Sequence, residues 1–218
     1  MMAHGHWVEG CLAGELTYEI MPFHHPSGAG AIAELGGYML LVAVAALAPD
    51  IDHPKSRIST SLGPITGLLS FLVIRFAKFV YYLTQGPADP QHTDGHRAIT
   101  HTPIAAPVVA AGVWLAVPGP WAAFVSSAVL VGWLTHIFGD SCSNSGVPAF
   151  WPLRIAGASW RHHGIPHWMR FKTGGHGAHD GWQENGESIV TFFATVACVV
   201  VGAFYVDPHL LPQIVEAL

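Results

Sequence analysis

Apolar residues run over stretches long enough to cross a lipid bilayer, and polar positions gather at the ends of those stretches. A helix needs roughly 17–25 mainly apolar residues for that crossing. Residues 31–48 (AIAELGGYMLLVAVAALA) qualify, with Glu34 as the one charge. Residues 103–117 and 121–138 are both apolar, and only Pro118-Gly119-Pro120 separates them. That tripeptide predicts a tight turn, so the pair reads as a transmembrane hairpin with a short first arm. Residues 188–206 (SIVTFFATVACVVVGAFYV) carry no charge and form the clearest span. Residues 5–21 are helix-like, but Glu9, Glu15 and Glu19 make them a weak span.

Residues 64–85 (PITGLLSFLVIRFAKFVYYLTQ) are long enough to cross, yet Arg75 and Lys78 sit three apart on one helical face. The loops decide between a span and an interfacial helix. Lys55 and Arg57 follow the first span, Arg97 precedes the hairpin, and Arg154, Arg161, Arg170 and Lys172 lie in 139–187. The Pro-Gly-Pro turn and residues 207–218 contain no basic residue. By the positive-inside rule the three basic loops face the cytoplasm. Residues 49–63 and 86–102 share a side only if 64–85 does not cross, so that helix is expected to be interfacial or re-entrant. The expected fold class is all-α: a polytopic membrane helical bundle with an interfacial helix. It forms a single domain over 1–218, with a polar, His/Trp-rich cytoplasmic loop inserted at about 139–187. No internal repeat is evident.

Composition sharpens this. Hydrophobic residues make up 51% of the chain and charged ones 11%, against about 25% charged in an ordinary soluble domain. Disorder is excluded and a purely soluble globule disfavoured. A net charge of -5 with nine Lys+Arg argues against a nucleic-acid-binding surface, which needs a basic face. Fifteen histidines outnumber those nine cations, which suggests a membrane protein that holds metal. Cys11, Cys142 and Cys198 form no disulfide framework or cysteine-based zinc site. The N-terminus (MMAHGHWVEG) lacks a basic n-region, so no cleavable signal peptide is expected.

Four polar clusters stand at the cytoplasmic helix ends. Asp50-Ile51-Asp52-His53-Pro54 follows an apolar helix; with Pro54 closing that helix, its three ligand-type side chains are expected to face one ion. The plainer alternative is a helix end with turn-forming Asp, although two anions there need a counter-charge. In His96-Arg97-Ala98-Ile99-Thr100-His101-Thr102, the two imidazoles meet if His96 is in the loop and His101 near the first turn of the next helix, with Thr100 or Thr102 capping. Taken alone, such a pair is more often solvated. His136 and Asp140 are four apart on one face at the end of an apolar span. Asp140 there either binds metal directly or orients His136; a structural hydrogen bond is the alternative. Glu187 opens the last span, where it satisfies the helix dipole or supplies a ligand. His162, His163, His167, His176 and His179 accompany Trp151, Trp160, Trp168 and Trp182 and read as an interfacial aromatic belt or a second metal site.

These motifs, in this order, resemble the YdjM-like family of inner-membrane proteins regarded as metal-dependent hydrolases. The resemblance rests on Gly5-His6, on Ala48-Pro49-Asp50-Ile51-Asp52-His53-Pro54, on His96-Arg97 with Thr100-His101-Thr102, on Gly132, His136 and Asp140, and on Gly146-Val147-Pro148 and Trp151-Pro152. It covers residues 5 to about 200. Ala98 departs from a usual Gly, Thr102 from Ser, and Cys142-Ser143-Asn144-Ser145 from a threonine-proline segment; none of these is a candidate ligand. The resemblance implies His6, Asp50, Asp52, His53, His96, His101, His136, Asp140 and Glu187 as metal ligands. It also implies a cytoplasmic start for the N-terminal helix. The ligand style is distantly similar to the zinc phospholipase C and P1-type nuclease group.

Nine such ligands exceed the four that one tetrahedral zinc uses. Two divalent ions ~3.5–4 Å apart, bridged by Asp50 or Asp140 as catalytic carboxylates, would use them. Zinc suits the imidazole-rich set, with manganese or iron as alternatives. Arg97 is expected either to bind a substrate phosphate oxygen or to contact phospholipid. The expected function is a membrane-bound metal-dependent hydrolase acting on phosphoesters, with phospholipid headgroups the nearest substrate class. The alternative is a metal-binding, transport or sensing protein without hydrolase activity, which predicts ligands near the bilayer midplane.

Overall fold

The structure, a computed structural model, describes residues 3–18, 20–21, 29–84, 99–141 and 147–148. Among these there are six α-helices and no strand: α1 (Ala3–Tyr18), α2 (Ala29–Ala45), α3 (Arg57–Thr60), α4 (Pro64–Thr84), α5 (Ala105–Ala116) and α6 (Trp121–Ser141). Two 3-10 turns, Ala48–Asp52 and Ile99–His101, follow α2 and precede α5. The predicted 188–206 span and most of the 139–187 insertion lie outside the described residues.

Helices α1, α2 and α6 pack on one another, and α5 packs on α6. In a bilayer helices associate by close van der Waals fit rather than by expelling water, so small residues belong at such contacts. Gly10 and Gly14 present one face of α1 to α2. A Cβ on Gly10 would stand 2.7 Å from Ala43 Cα, and one on Gly14 2.9 Å from Met39 Cα. On α6, a Cβ at Gly132 would meet the Val42 carbonyl and Ala45 and lie 2.8 Å from Ala46 N. Three side-chain-free positions thus set the spacing of the three central helices.

The core has two parts. Tyr18, Leu35, Tyr38, Val42, Phe124 and Ala128 fill the end where α2 and α6 begin, with Tyr38 edge-on to Phe124 at 5.3 Å. Ala106, Trp133 and Ile137 join α5 to α6 nearer the opposite end. Outward-facing Leu40, Val108, Trp114, Leu115 and Phe138 are exposed, as expected of a surface covered by lipid tails.

Gly30–Asp52, Pro64–Leu83 and Trp121–Ser141 are long and apolar enough to cross a membrane. As the sequence predicts, α5 is the short arm of the hairpin, and Gly119 makes the turn at φ 65, a conformation natural to glycine. Two boundaries differ from expectation. The α-helix of the first span stops at Ala45 and tightens into a 3-10 turn, because Pro49 cannot continue the α-helical hydrogen bonding. Helix α6 runs on to Ser141 and so carries both His136 and Asp140.

Candidate metal centre

Four chain segments meet at one end of the bundle: the start of α1, the turn after α2, the turn before α5 and the end of α6. They bring His6, Asp50, His101, His136 and Asp140 together, all buried except Asp50, whose side chain is 22% exposed. Two triads have ligand atoms close enough to share an ion, His6–His136–Asp140 and Asp50–His101–His136.

The distances match the needs of an ion. His101 Nε2 lies 3.1 Å from His136 Nε2, 3.5 Å from Asp50 Oδ1 and 3.4 Å from Asp140 Oδ2. His136 Nε2 lies 3.5 Å from Asp50 Oδ1 and 3.7 Å from Asp140 Oδ2. Bonds of ~2.0–2.2 Å around a tetrahedral ion hold its ligand atoms about 3.3–3.6 Å apart. The Asp50–His101–His136 triad comes near that spacing, and Asp140 Oδ2 lies beside both imidazoles. The second oxygen of Asp140 turns away to His6 Nε2 at 3.3 Å, and the His6 and His136 rings stack with centroids 3.9 Å apart.

The imidazole tautomers follow from what lies behind each ring. His136 Nδ1 is 2.7 Å from the Ala46 carbonyl; a carbonyl only accepts, so Nδ1 carries the hydrogen and Nε2 keeps its lone pair. His101 Nδ1 faces Asp52 Oδ2 at 3.4 Å, which likewise leaves its Nε2 as an acceptor. Two lone pairs then point at each other across 3.1 Å, beside two carboxylate oxygens. Either a metal ion or a second proton on His101 resolves that arrangement.

The protein's own supports are dense. Thr100 donates its hydroxyl to Asp52, and Trp133 Nε1 donates to the Thr100 carbonyl at 2.7 Å, tying the Ile99–His101 turn to α6. Burial alone would lower the His101 pKa, but Asp50, Asp52 and Asp140 outweigh it and push it up to about 9. In the absence of metal, a proton therefore competes for this ring.

The predicted ligands divide. Asp52 is fully buried and backs His101, on the far side of the ring from the other donors. His53 belongs to neither triad; it follows the turn in extended conformation, and its Nδ1 accepts from the Lys55 backbone N–H at 3.3 Å. The expectation that Asp50, Asp52 and His53 face one ion therefore differs from what is observed. At about three residues per turn, side chains two apart leave a 3-10 turn in different directions. His96, Arg97 and Glu187 lie outside the described residues. Of the two expected caps, Thr102 accepts from the Ala105 N–H at 3.3 Å, while Thr100 turns to Asp52.

Sequence reading missed Glu9. Its Oε2 is 3.9 Å from His6 Nδ1, on the side of the ring away from Asp140. Gly139 leaves room for both groups, since a Cβ there would stand 2.5 Å from Glu9 Oε2 and 3.3 Å from the His6 ring. The i,i+3 spacing of His6 and Glu9 was the available signal. Thr100 and Trp133 gave none, because their roles depend on segments far apart in the chain.

Fold and site together define an all-α membrane protein with buried imidazoles and carboxylates gathered at one end of its helices. A family model described as YdjM inner membrane protein matches residues 1–209, and the chain belongs to that family. It is similar to the proteins named inner membrane protein YdjM of Escherichia coli (strain K12) and of Shigella flexneri, each 31% identical over 110 residues. That stretch is 50% of this chain and 45% of each relative, so the match spans about half the length of these curated relatives. The relatives' names and the apolar helices make this a protein of the inner membrane. No solved structure matches.

Proposed function

We propose that this protein is a metal-dependent hydrolase of the membrane surface, acting on phosphoester bonds at the cytoplasmic face. The observation that carries the reading is the pair of facing Nε2 atoms of His101 and His136, with carboxylate oxygens of Asp50 and Asp140 3.4–3.7 Å from them. In this reading Asp50, His101 and His136 would hold a first divalent ion, zinc best suiting their chemistry. Asp140 reaches with its other oxygen toward a second position lined by His6. His96 and Glu187 complete the set, Asp52 and Glu9 fix the rings of His101 and His6, and Arg97 binds a phosphate oxygen. The charge balance agrees: Glu9, Asp50, Asp52 and Asp140 are four carboxylates in a poorly hydrated place, and two dications neutralise them.

A divalent ion there supplies Lewis acidity, lowering the pKa of a water and polarising a phosphoryl oxygen. Asp50, the one partly exposed member, stands where water and substrate can enter. Its carboxylate accepts a proton from the attacking water as the new O–P bond forms. That proton passes to the leaving oxygen as the old P–O bond breaks. The donors lie at helix ends rather than at mid-helix, which favours surface hydrolysis over transport through the bilayer.

The test is metal analysis of the purified protein, followed by a panel of phosphomonoesters, phosphodiesters and phospholipids offered to wild type and Asp50→Ala. Metal-dependent release of product by wild type alone supports the proposal. Bound metal without turnover of any substrate would favour a metal-sensing or transport role instead. A wild type that binds no metal overturns both.

A further inference from the structure

Helix α4 is as long as α6 but is placed differently. It packs on the Ala48–Asp52 turn, on α3 and on the Ile99–His101 turn, the segments that build the metal centre. Those two turns touch each other: Thr100 bonds Asp52, and His101 faces Asp50. The chain thus enters α4 and returns from it at the same end of the bundle. If α4 crossed the bilayer, residues 85–98 (QGPADPQHTDGHRA) would have to cross back. Wound as a helix they would reach only about 21 Å at ~1.5 Å per residue, short of ~30 Å of hydrocarbon. Unwound, they would carry bare peptide groups and charges through lipid.

The surface of α4 agrees. Thr66, Ser70, Ala77 and Tyr81 form a narrow buried stripe. Ile65, Leu69, Leu72, Phe76, Phe79 and Leu83 follow helical spacing along an exposed second stripe. Beside it runs a third, Phe71, Arg75, Lys78 and Tyr82, with the Arg75 guanidinium over the Phe71 ring at 5.0 Å. A spanning helix would bring these two cations to the bilayer centre, where charge is most costly. A helix lying flat puts the apolar stripe among acyl chains and the basic stripe among headgroups.

We propose that α4 lies in the plane of the cytoplasmic leaflet and that its Arg75–Lys78 stripe binds the phosphates of anionic phospholipid. The inference stands on topology and does not depend on hydrolase activity. It sets the metal centre at headgroup depth, since α4 rests on the two turns that carry Asp50 and His101.

The test uses the full-length protein with its native cysteines replaced, in vesicles of phosphatidylcholine and phosphatidylglycerol. A membrane-impermeant thiol reagent should reach Ser61→Cys and Gly95→Cys from the same side. Nitroxides at positions 69, 76 and 83 should report similar, shallow depths. Spin-labelled phosphatidylglycerol should be enriched over phosphatidylcholine near position 71, and Arg75→Gln or Lys78→Gln should each cut that enrichment about fivefold. Opposite sidedness of 61 and 95, or a depth greatest at 76 with 69 and 83 toward opposite surfaces, overturns the placement. Enrichment unchanged in both glutamine variants overturns the lipid-phosphate role.

Discussion

Helices α4 and α6 have 21 residues each, and both are apolar enough to cross a bilayer. Half of the apolar stretch of α6 is buried inside the protein, against 22% for α4. In α6 the ionisable residues wait until the last turns, where other segments supply partners. In α4 they sit mid-helix, Arg75 exposed and Lys78 half-buried. Under the placement proposed for α4, the position of charge along a helix axis, more than length or hydropathy, separates the two helices.

The contrast can be broken by substitution. The largest effect is expected for His136→Ala on α6, which removes a donor common to both triads; bound zinc should fall from stoichiometric to none by elemental analysis. Glu9→Ala and Asp52→Asn leave every member of the two triads in place and should weaken zinc binding about 10–100-fold in a chelator competition, with stoichiometry retained at saturating zinc. Gly132→Ala should destabilise the bundle by about 1–3 kcal/mol in denaturant unfolding, because a methyl group there meets the α2 backbone.

Acidity gives the next effect. With its pKa raised to about 9, protonated His101 contributes stability to the metal-free protein below about pH 6.5, and that contribution is lost as pH rises through 9. Zinc affinity moves the opposite way, rising up to about tenfold per pH unit over that window as the ring gives up its proton. The smallest effect belongs to α4. Nothing stands within 4 Å of a Cβ placed on Gly67, so Gly67→Ala should stabilise by about 0.5–1 kcal/mol. A loss of stability there as large as that for Gly132→Ala would erase the distinction between the two helices.

Much of this was legible in the sequence. Long apolar runs fixed the existence of α2, α5 and α6, since a period-independent signal survives any packing. The His136–Asp140 pair was legible because helical spacing puts i and i+4 on one face. Within the Asp50–His53 cluster, Asp50 joins a triad and Asp52 stands behind His101, a division the sequence does not announce. Glu9 was weighed as a charge against a span, when its neighbour three residues back was the informative partner. The Trp133–Thr100 link was invisible, being a contact between segments joined only by the fold.

Proline 49 has one more effect. A tight turn would ordinarily send the N–H of residue 49 back to the carbonyl of residue 46, but proline has none to send. The Ala46 oxygen thus has one backbone donor fewer beside it, and it meets the Nδ1 of a ring 90 residues away. Restoring that hydrogen with Pro49→Ala would give the Ala46 oxygen a second donor to share with the imidazole.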